Sequence, residues 1–268
     1  MVVAIGRGLL AVLVLQGLVA CAAADVSPPR RAGQLAPPAS PAPSPVASVV
    51  PVSPSPPAVR VDTESGASPS QSGPGAYRYS VQIPQLVGVV THGQTLDALI
   101  RGTMQRYLDT FLSAAQDAQS PTELTCMSDT VRVTAKLAVL RVDCTSIQTG
   151  VARPTTVTHT FNCDLVGTRI LTLQDLFSAG SAYLEVLSEA ARARFPAQAT
   201  PAADRSIVDG TAPVPANFKA FLLDQSALLI VFPDFQVSPG SAAAPQVAVA
   251  YGDLQRYFAA GIADLLAG

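Results

Sequence analysis

Two stretches decide how this chain folds: LAVLRVDCTSI, residues 137–147, and TTVTHTFNCDL, residues 155–165. Both are rich in β-branched residues and read as strands, and in the second His159 alternates with Val157, Phe161 and Cys163 on one face. Between them lies QTGVARP, whose Gly150 and Pro154 mark a turn. Upstream, ELTCM (123–127) and TVRVTAK (130–136) read as further strands. Before these, residues 94–118 carry Leu96, Leu99, Ile100, Met104, Tyr107, Leu108, Phe111 and Leu112 at steps of three and four, which predicts an amphipathic helix. YRYSVQIPQL predicts a strand from Tyr77 that ends near Pro84.

Downstream the pattern becomes shorter. Thr172-Leu-Gln-Asp175 has the form of a capping box opening a helical turn. Ser181 is placed to cap a second helix, with Tyr183, Leu184, Val186, Leu187 and Ala190 inward. NFKAFLLD (217–224), ALLIVFPDFQV (227–237) and QVAVAY (246–251) predict three strands. A last helix is expected from about Asp253, with Leu254, Tyr257, Phe258, Ile262 and Leu265 as its stripe. Strands grouped into hairpins with helices between the groups predict an α+β fold, a mostly antiparallel sheet with two or three packed helices.

The N-terminus has another character. Arg7 is the only charge among the first 24 residues, and Gly8 to Val19 form an apolar core. Twelve helical residues span ~18 Å, short of the ~30 Å hydrocarbon layer, so the segment suits a signal peptide (1–20) better than a membrane span. Leu18-Val19-Ala20-Cys21 resembles the bacterial lipobox, and Cys21 is accordingly expected to be lipid-modified after cleavage at Ala20. That places the protein at the extracytoplasmic face of the cell membrane, with the lipid anchor as its membrane contact. Residues 22–75 hold 13 of the chain's 23 prolines. Proline lacks the amide proton and fixes φ, so residues 21–75 are expected to be a disordered, Pro-rich stalk before a folded unit at 76–268.

Composition narrows the chemistry. The formal charge is −2, which argues against a nucleic-acid partner, since binding phosphates requires a surplus of cations. With two histidines, His92 and His159, an HExxH pair or a three-histidine metal site cannot be built, and neither a metal nor a cofactor is expected. His159 shares its strand face with Val157, Phe161 and Cys163 and reads as a core residue, while His92 falls in a turn. There is no G-x-S-x-G elbow and no phosphate-binding loop. Asp164 and Asp224 read as turn residues, and no carboxylate pair is marked out for acid–base work. Tyr77, Tyr79, Phe232 and Phe235 suit a core as well as a groove, and no role is assigned to them.

Lipidation of Cys21 leaves Cys126, Cys144 and Cys163, enough for one intramolecular bridge. A hairpin turning near Ala135 sets Cys126 opposite Cys144, the favoured pairing. A turn at 151–153 would instead bring Cys144 towards Cys163.

Several segments resemble one extracellular bacterial domain: TGVARPTTVTHTFNCDLVGTRILTLQDLF, GTAPVPANFKAFLLD, LLIVFPDFQVSPG and QVAVAYGDL. That domain is the RsiV-like type, found in a lysozyme-sensing anti-sigma factor and beside peptidoglycan deacetylase domains, and it is similar to a secreted mycobacterial antigen family. The resemblance implies an RsiV-like segment at 121–268 behind an N-terminal segment at 76–120. The second glycine of the family's pair and its histidine are replaced here by Val151 and Arg153, so a role for that histidine does not carry over. The resemblance implies an exported binding or sensing domain without catalysis, its partner a cell-wall or protein ligand. The alternative is an accessory to, or member of, an envelope hydrolase or deacetylase system. An anti-sigma role is not expected, because no segment precedes the leader. The Gly/Pro-marked loops Gln148–Thr155 and Asp204–Ala216 are the candidate binding surfaces, with Arg153, Asp204, Arg205 and Asp209 the residues to meet a partner, or else they are solvated connections.

Overall fold

The computed structural model describes residues 56–89, 93–195, 201–237 and 244–268, and the side chains of 201–204 lie outside the description. The leader, Cys21, the stalk up to residue 55 and His92 fall outside the described residues.

The first element is a correction. Strand β1, Ala58–Ala67, lies inside the stretch expected to be stalk. It pairs antiparallel along its whole length with β2, Tyr77–Val87. The prolines upstream obscure it, yet AVRVDTESGA itself holds none and alternates apolar with polar residues at its start. The folded unit therefore begins some twenty residues earlier than composition suggests. β2 also runs through Pro84, where the expected strand ended. Two residues on, the Leu86 N–H points away from β1 and donates to Asp97 Oδ1 at 2.8 Å. The nitrogen of Pro84 shares that outward side, so its missing proton leaves no rung of the β1–β2 ladder unmade.

Helix α1, Gly93–Gln116, connects β2 to β3, Thr122–Val133, and the two strands pair in parallel, the only parallel joint in the sheet. ELTCM and the first four residues of TVRVTAK belong to this one strand, interrupted by a register shift between Thr130 and Arg132. β4, Leu137–Gln148, and β5, Thr155–Asp164, continue antiparallel, and two residues of β6, Arg169–Ile170, close the order β1-β2-β3-β4-β5-β6. Leu96, Ile100, Met104 and Leu108 recur every four residues along α1 and are buried against Val81, Leu124, Leu140, Val142 and Phe161 of the sheet. Leu99, expected in the same stripe, faces outward.

The rest of the chain builds a second layer from short pieces. A 3-10 turn at Leu173–Leu176 precedes α2, Tyr183–Arg194, and α3, Pro201–Gly210. A second 3-10 turn, Pro215–Phe218, leads into β7, Phe221–Leu223, which with β8, Ala227–Val231, and β9, Gln246–Ala250, forms a three-stranded antiparallel sheet. NFKAFLLD is thus half 3-10 turn and half strand, and the strand expected over 227–237 stops at Val231. The single helix expected from Asp253 is three pieces, α4, Tyr251–Leu254, a 3-10 turn, Gln255–Tyr257, and α5, Ile262–Leu266. Phe258 is extended and Gly261 is left-handed (φ 84°) between them, a conformation that favours glycine and turns the chain. All the same, the architecture is α+β with mostly antiparallel sheets.

β4 joins the two layers. Ala138, Leu140, Val142 and Cys144 face α1, whereas Leu137 and Val139 face the second core with Phe218, Phe232, Leu187 and Leu254. The run LAVL is therefore apolar throughout because both its faces are covered, and RVDC alternates because only one is.

Candidate functional site

The seam between the two layers is held by a polar residue. Asn162, buried on β5, donates from Nδ2 to the Phe221 carbonyl at 2.8 Å and accepts the Leu223 N–H on Oδ1 at 2.9 Å. Its own carbonyl accepts the Leu171 N–H at 2.8 Å. One side chain thus completes the backbone pairing of β7 on the edge where no strand is hydrogen-bonded to it among the described residues.

Next to this clip is a cleft of about 410 Å³ lined by Thr160, Leu171, Thr172, Leu173, Gln174, Pro215, Ala216, Lys219 and Phe221. Its walls are local consequences of sequence. On one side, Asp175 Oδ2 receives both the N–H (2.7 Å) and the hydroxyl (2.6 Å) of Thr172, and Arg169 Nη1 reaches Oδ1 at 3.0 Å. Burial alone would raise the Asp175 carboxyl, but the two Thr172 bonds and the Arg169 guanidinium outweigh it and hold the group below the usual carboxylate range. On the other side, Asn217 Nδ2 donates to the carbonyls of Asp209 (2.8 Å) and Ala212 (3.0 Å), and Gln236 Nε2 donates to those of Gly210 (2.8 Å) and Asn217 (3.0 Å). These four bonds fix the 3-10 turn that carries Pro215 and Ala216. The cleft is a mainly apolar hollow with two threonine hydroxyls, one amide and one ammonium at hand, and it lies within the size range of ligand pockets. A smaller hollow of about 320 Å³ is lined by Tyr77, Thr122, Ile147 and the Arg78–Glu123 ion pair, among others.

The residues singled out in the sequence are distributed differently. Cys126 and Cys144 stand opposite each other in the β3–β4 register and form the disulfide, while Cys163 is free and buried. Burial, with the nearby Asp97 charge adding to it, pushes the Cys163 thiol up to about 12, which keeps it protonated and unreactive. Arg153 lies in the exposed turn between β4 and β5. Arg205 and Asp209 are exposed one turn apart on α3, and Asp204 stands on the same helix with its side chain outside the described residues. Asp204–Ala216 is thus helix for half its length rather than loop. Pro201 suits the first turn of that helix, and among its described side chains Ile207 is the one deeply buried apolar group, too little to register as a helical stripe. None of Arg153, Arg205 and Asp209 lines the cleft.

His159 lies in the α1 core, its ring 4.7 Å from Tyr107 in an edge-on contact, with Nε2 buried and unpartnered. Burial lowers its pKa and keeps it neutral. Asp164 shapes a turn, its Oδ1 accepting the N–H groups of Val166 (3.1 Å) and Gly167 (2.7 Å). Phe232 is fully buried, but Phe235 is exposed with a left-handed backbone (φ 68°). Among the described residues, no group of three or more His, Cys, Asp or Glu is arranged to hold a metal ion. No helix among them is long and apolar enough to cross a membrane.

Pro215 and Ala216 close the Asp204–Ala216 stretch singled out as a candidate surface, and Thr172, Leu173 and Gln174 belong to the capping pattern. Thr160, Leu171, Lys219 and Phe221 escaped the sequence reading because they lie outside both stretches and meet them only in the folded chain.

Residues 174–252, from the first 3-10 turn to the start of α4, match a family model described as "Protein of unknown function (DUF3298)". Two solved structures have a similar fold. A DUF3298 family protein from Pseudomonas aeruginosa PAO1 is 14% identical with a TM-score of 0.55, covering 78% of this chain and 97% of its own. A member of the same family from Bacteroides fragilis NCTC 9343 is 14% identical with a TM-score of 0.54, covering 79% and 98%. At that identity the likeness speaks for the fold. No curated protein matches the chain.

Proposed function

We propose that this protein is a cell-envelope lipoprotein displaying a non-catalytic binding domain of the RsiV-like kind, with the cleft at the layer seam as its ligand site. The observation that carries the reading is the cleft itself: about 410 Å³, mainly apolar, with Thr160, Thr172, Gln174 and Lys219 in its lining. Such a lining recognises a ligand by shape and a few polar contacts. The lipobox-like Leu18–Cys21 and the Pro-rich stretch after it support display at the extracytoplasmic face. The partner in this reading is a cell-wall or protein ligand.

The test is to immobilise the full chain and titrate peptidoglycan fragments, envelope lipids and lysozyme, with hydrolysis and deacetylation assays run alongside. Saturable binding that Ala216→Trp abolishes by filling the cleft is the expected result. Turnover of any envelope substrate, lost on replacing one polar residue, overturns the non-catalytic reading. Mass spectrometry of the mature N-terminus tests the anchor, which an unmodified Cys21 in membrane-bound protein would refute.

A further inference from the structure

The cleft opens beside a sheet edge that is half used. In an antiparallel pair each residue directs both backbone groups either to its partner strand or away from it, in alternation. On β5 the Thr156 N–H goes not to β4 but to Asp234 Oδ2 at 2.8 Å, and the Asn162 carbonyl accepts the Leu171 N–H at 2.8 Å. Thr156, Thr158, Thr160 and Asn162 therefore all face outward. The 3.2 Å approach of the Thr145 and Thr156 hydroxyls agrees, since facing side chains are closest where the pair makes no ladder bonds. β6 engages this edge only at Cys163 and Asp164, after which the chain turns away at Thr172. Between the two engaged ends, the amides and carbonyls of Thr158 and Thr160 point outward, and no strand lies against them among the described residues.

We infer that the partner is an extended peptide that adds to the edge of β5 in line with β6 and places one apolar side chain in the cleft. Donor and acceptor pairs about 6.8 Å apart, the two-residue repeat of a strand, match a polypeptide backbone. An added strand at Thr158–Thr160 directs alternate side chains onto the Thr160 face, where the cleft holds Leu171, Leu173, Ala216 and Phe221. Lys219 stands at the same cleft with no acidic partner among the described residues, so the peptide carries a carboxylate next to its apolar residue. This identification rests on the cleft being the ligand site.

The experiment uses the full chain throughout. Random peptides displayed on phage are selected against it, and a selected peptide is resynthesised with single N-methylated amides. N-methylation at alternate residues is expected to weaken binding about tenfold or more, through a lost backbone bond and a steric clash, while interleaved positions stay within about twofold. Lys219→Glu, on an exposed side chain, leaves the melting temperature unchanged and weakens the acidic peptide at least about tenfold, a reversal of one charge pair. Failure to select any peptide, N-methylation losses without a two-residue period, or indifference to Lys219→Glu each overturns the proposal. Anilinonaphthalene sulfonate, an apolar anion, separates the two readings. If it binds and Ala216→Trp blocks it while no peptide binds, the cleft stands and strand addition falls. If neither binds, both fall. A peptidoglycan oligosaccharide that displaces the probe where peptides do not also rejects strand addition.

Discussion

The core beneath α1 and the core around the three-stranded sheet are built on different plans. The first is one long helix on one face of a long sheet, closed by the Cys126–Cys144 bridge, and its buried polar content is minimal. The second gathers α2, three 3-10 turns, strands of three to five residues, α4 and α5. None of these pieces is long enough to be stable alone, since nucleating a short helix or a short hairpin costs more than its own bonds return. Polar clips supply the missing definition: Asn162 to β7, Arg132 to the Asp224 carbonyl (3.1 Å) and the Leu266 carbonyl (2.6 Å), and the Tyr251 hydroxyl to the Asp224 carbonyl (2.8 Å). Where regular pairing is scarce, hydrogen-bonding side chains take over the role of setting position.

The largest expected effect tests whether the two cores are one cooperative unit. Phe232 is fully buried, with the rings of Phe195 and Phe218 at 5.5 and 6.1 Å. Phe232→Ala should cost about 5 kcal/mol, the upper part of the range for truncating a buried aromatic. Because Leu137 and Val139 of β4 belong to the second core, thermal unfolding should remain a single transition. Two resolved transitions would separate the regions.

Asn162→Leu should cost about 4 kcal/mol, since it orphans a buried carbonyl and a buried N–H at roughly 2 kcal/mol each. The comparison sharpens with hydrogen exchange: protection should fall first at Leu223 and Phe221, with α1 unaffected. Equal loss under α1 would contradict a local clip.

The bridge is the corresponding device in the first core. Cys126→Ser and Cys144→Ser should each lower stability by about 3 kcal/mol under oxidising conditions, for a loop closed across a sequence separation of 18, and the double variant should cost no more. Cys163→Ser should not reproduce this pattern. Arg132→Met should cost about 1–2 kcal/mol by freeing two carbonyls near the C-terminus, seen as a lower denaturation midpoint at unchanged slope.

The smallest effect is a pH dependence. His159 has a depressed pKa in the fold, so the unfolded chain binds the proton first. Stability from this group is complete above about pH 6.5, the ordinary histidine value, and declines as pH falls from there towards the depressed one. His159→Leu should flatten the melting temperature over that interval. Asp175 works in the same sense at lower pH: its depressed pKa gives stability that is present above about pH 4 and lost on further acidification.

What the amino-acid sequence determined by itself is the part governed by period and by local chemistry. The four-residue stripe of α1, the alternation in β4 and β5, the Thr172–Asp175 pattern and the Asp164 turn are each encoded within a dozen residues, because side-chain periodicity and neighbouring hydrogen bonds act over that range. Only the tertiary structure decided the rest. β1 was hidden by prolines it does not contain, and its ten residues become a strand because β2 offers a full edge. The C-terminal stripe broke at Phe258 and Gly261 because two short helices bury Leu254 and Leu265 in one core where a single straight helix is not formed. The cleft is assembled from β5, the 3-10 turns, Lys219 and β7, segments up to sixty residues apart, and Asn162 brings them together. No local pattern records such a meeting, since burial and hydrogen-bond completion between distant segments are settled only when the layers close on each other.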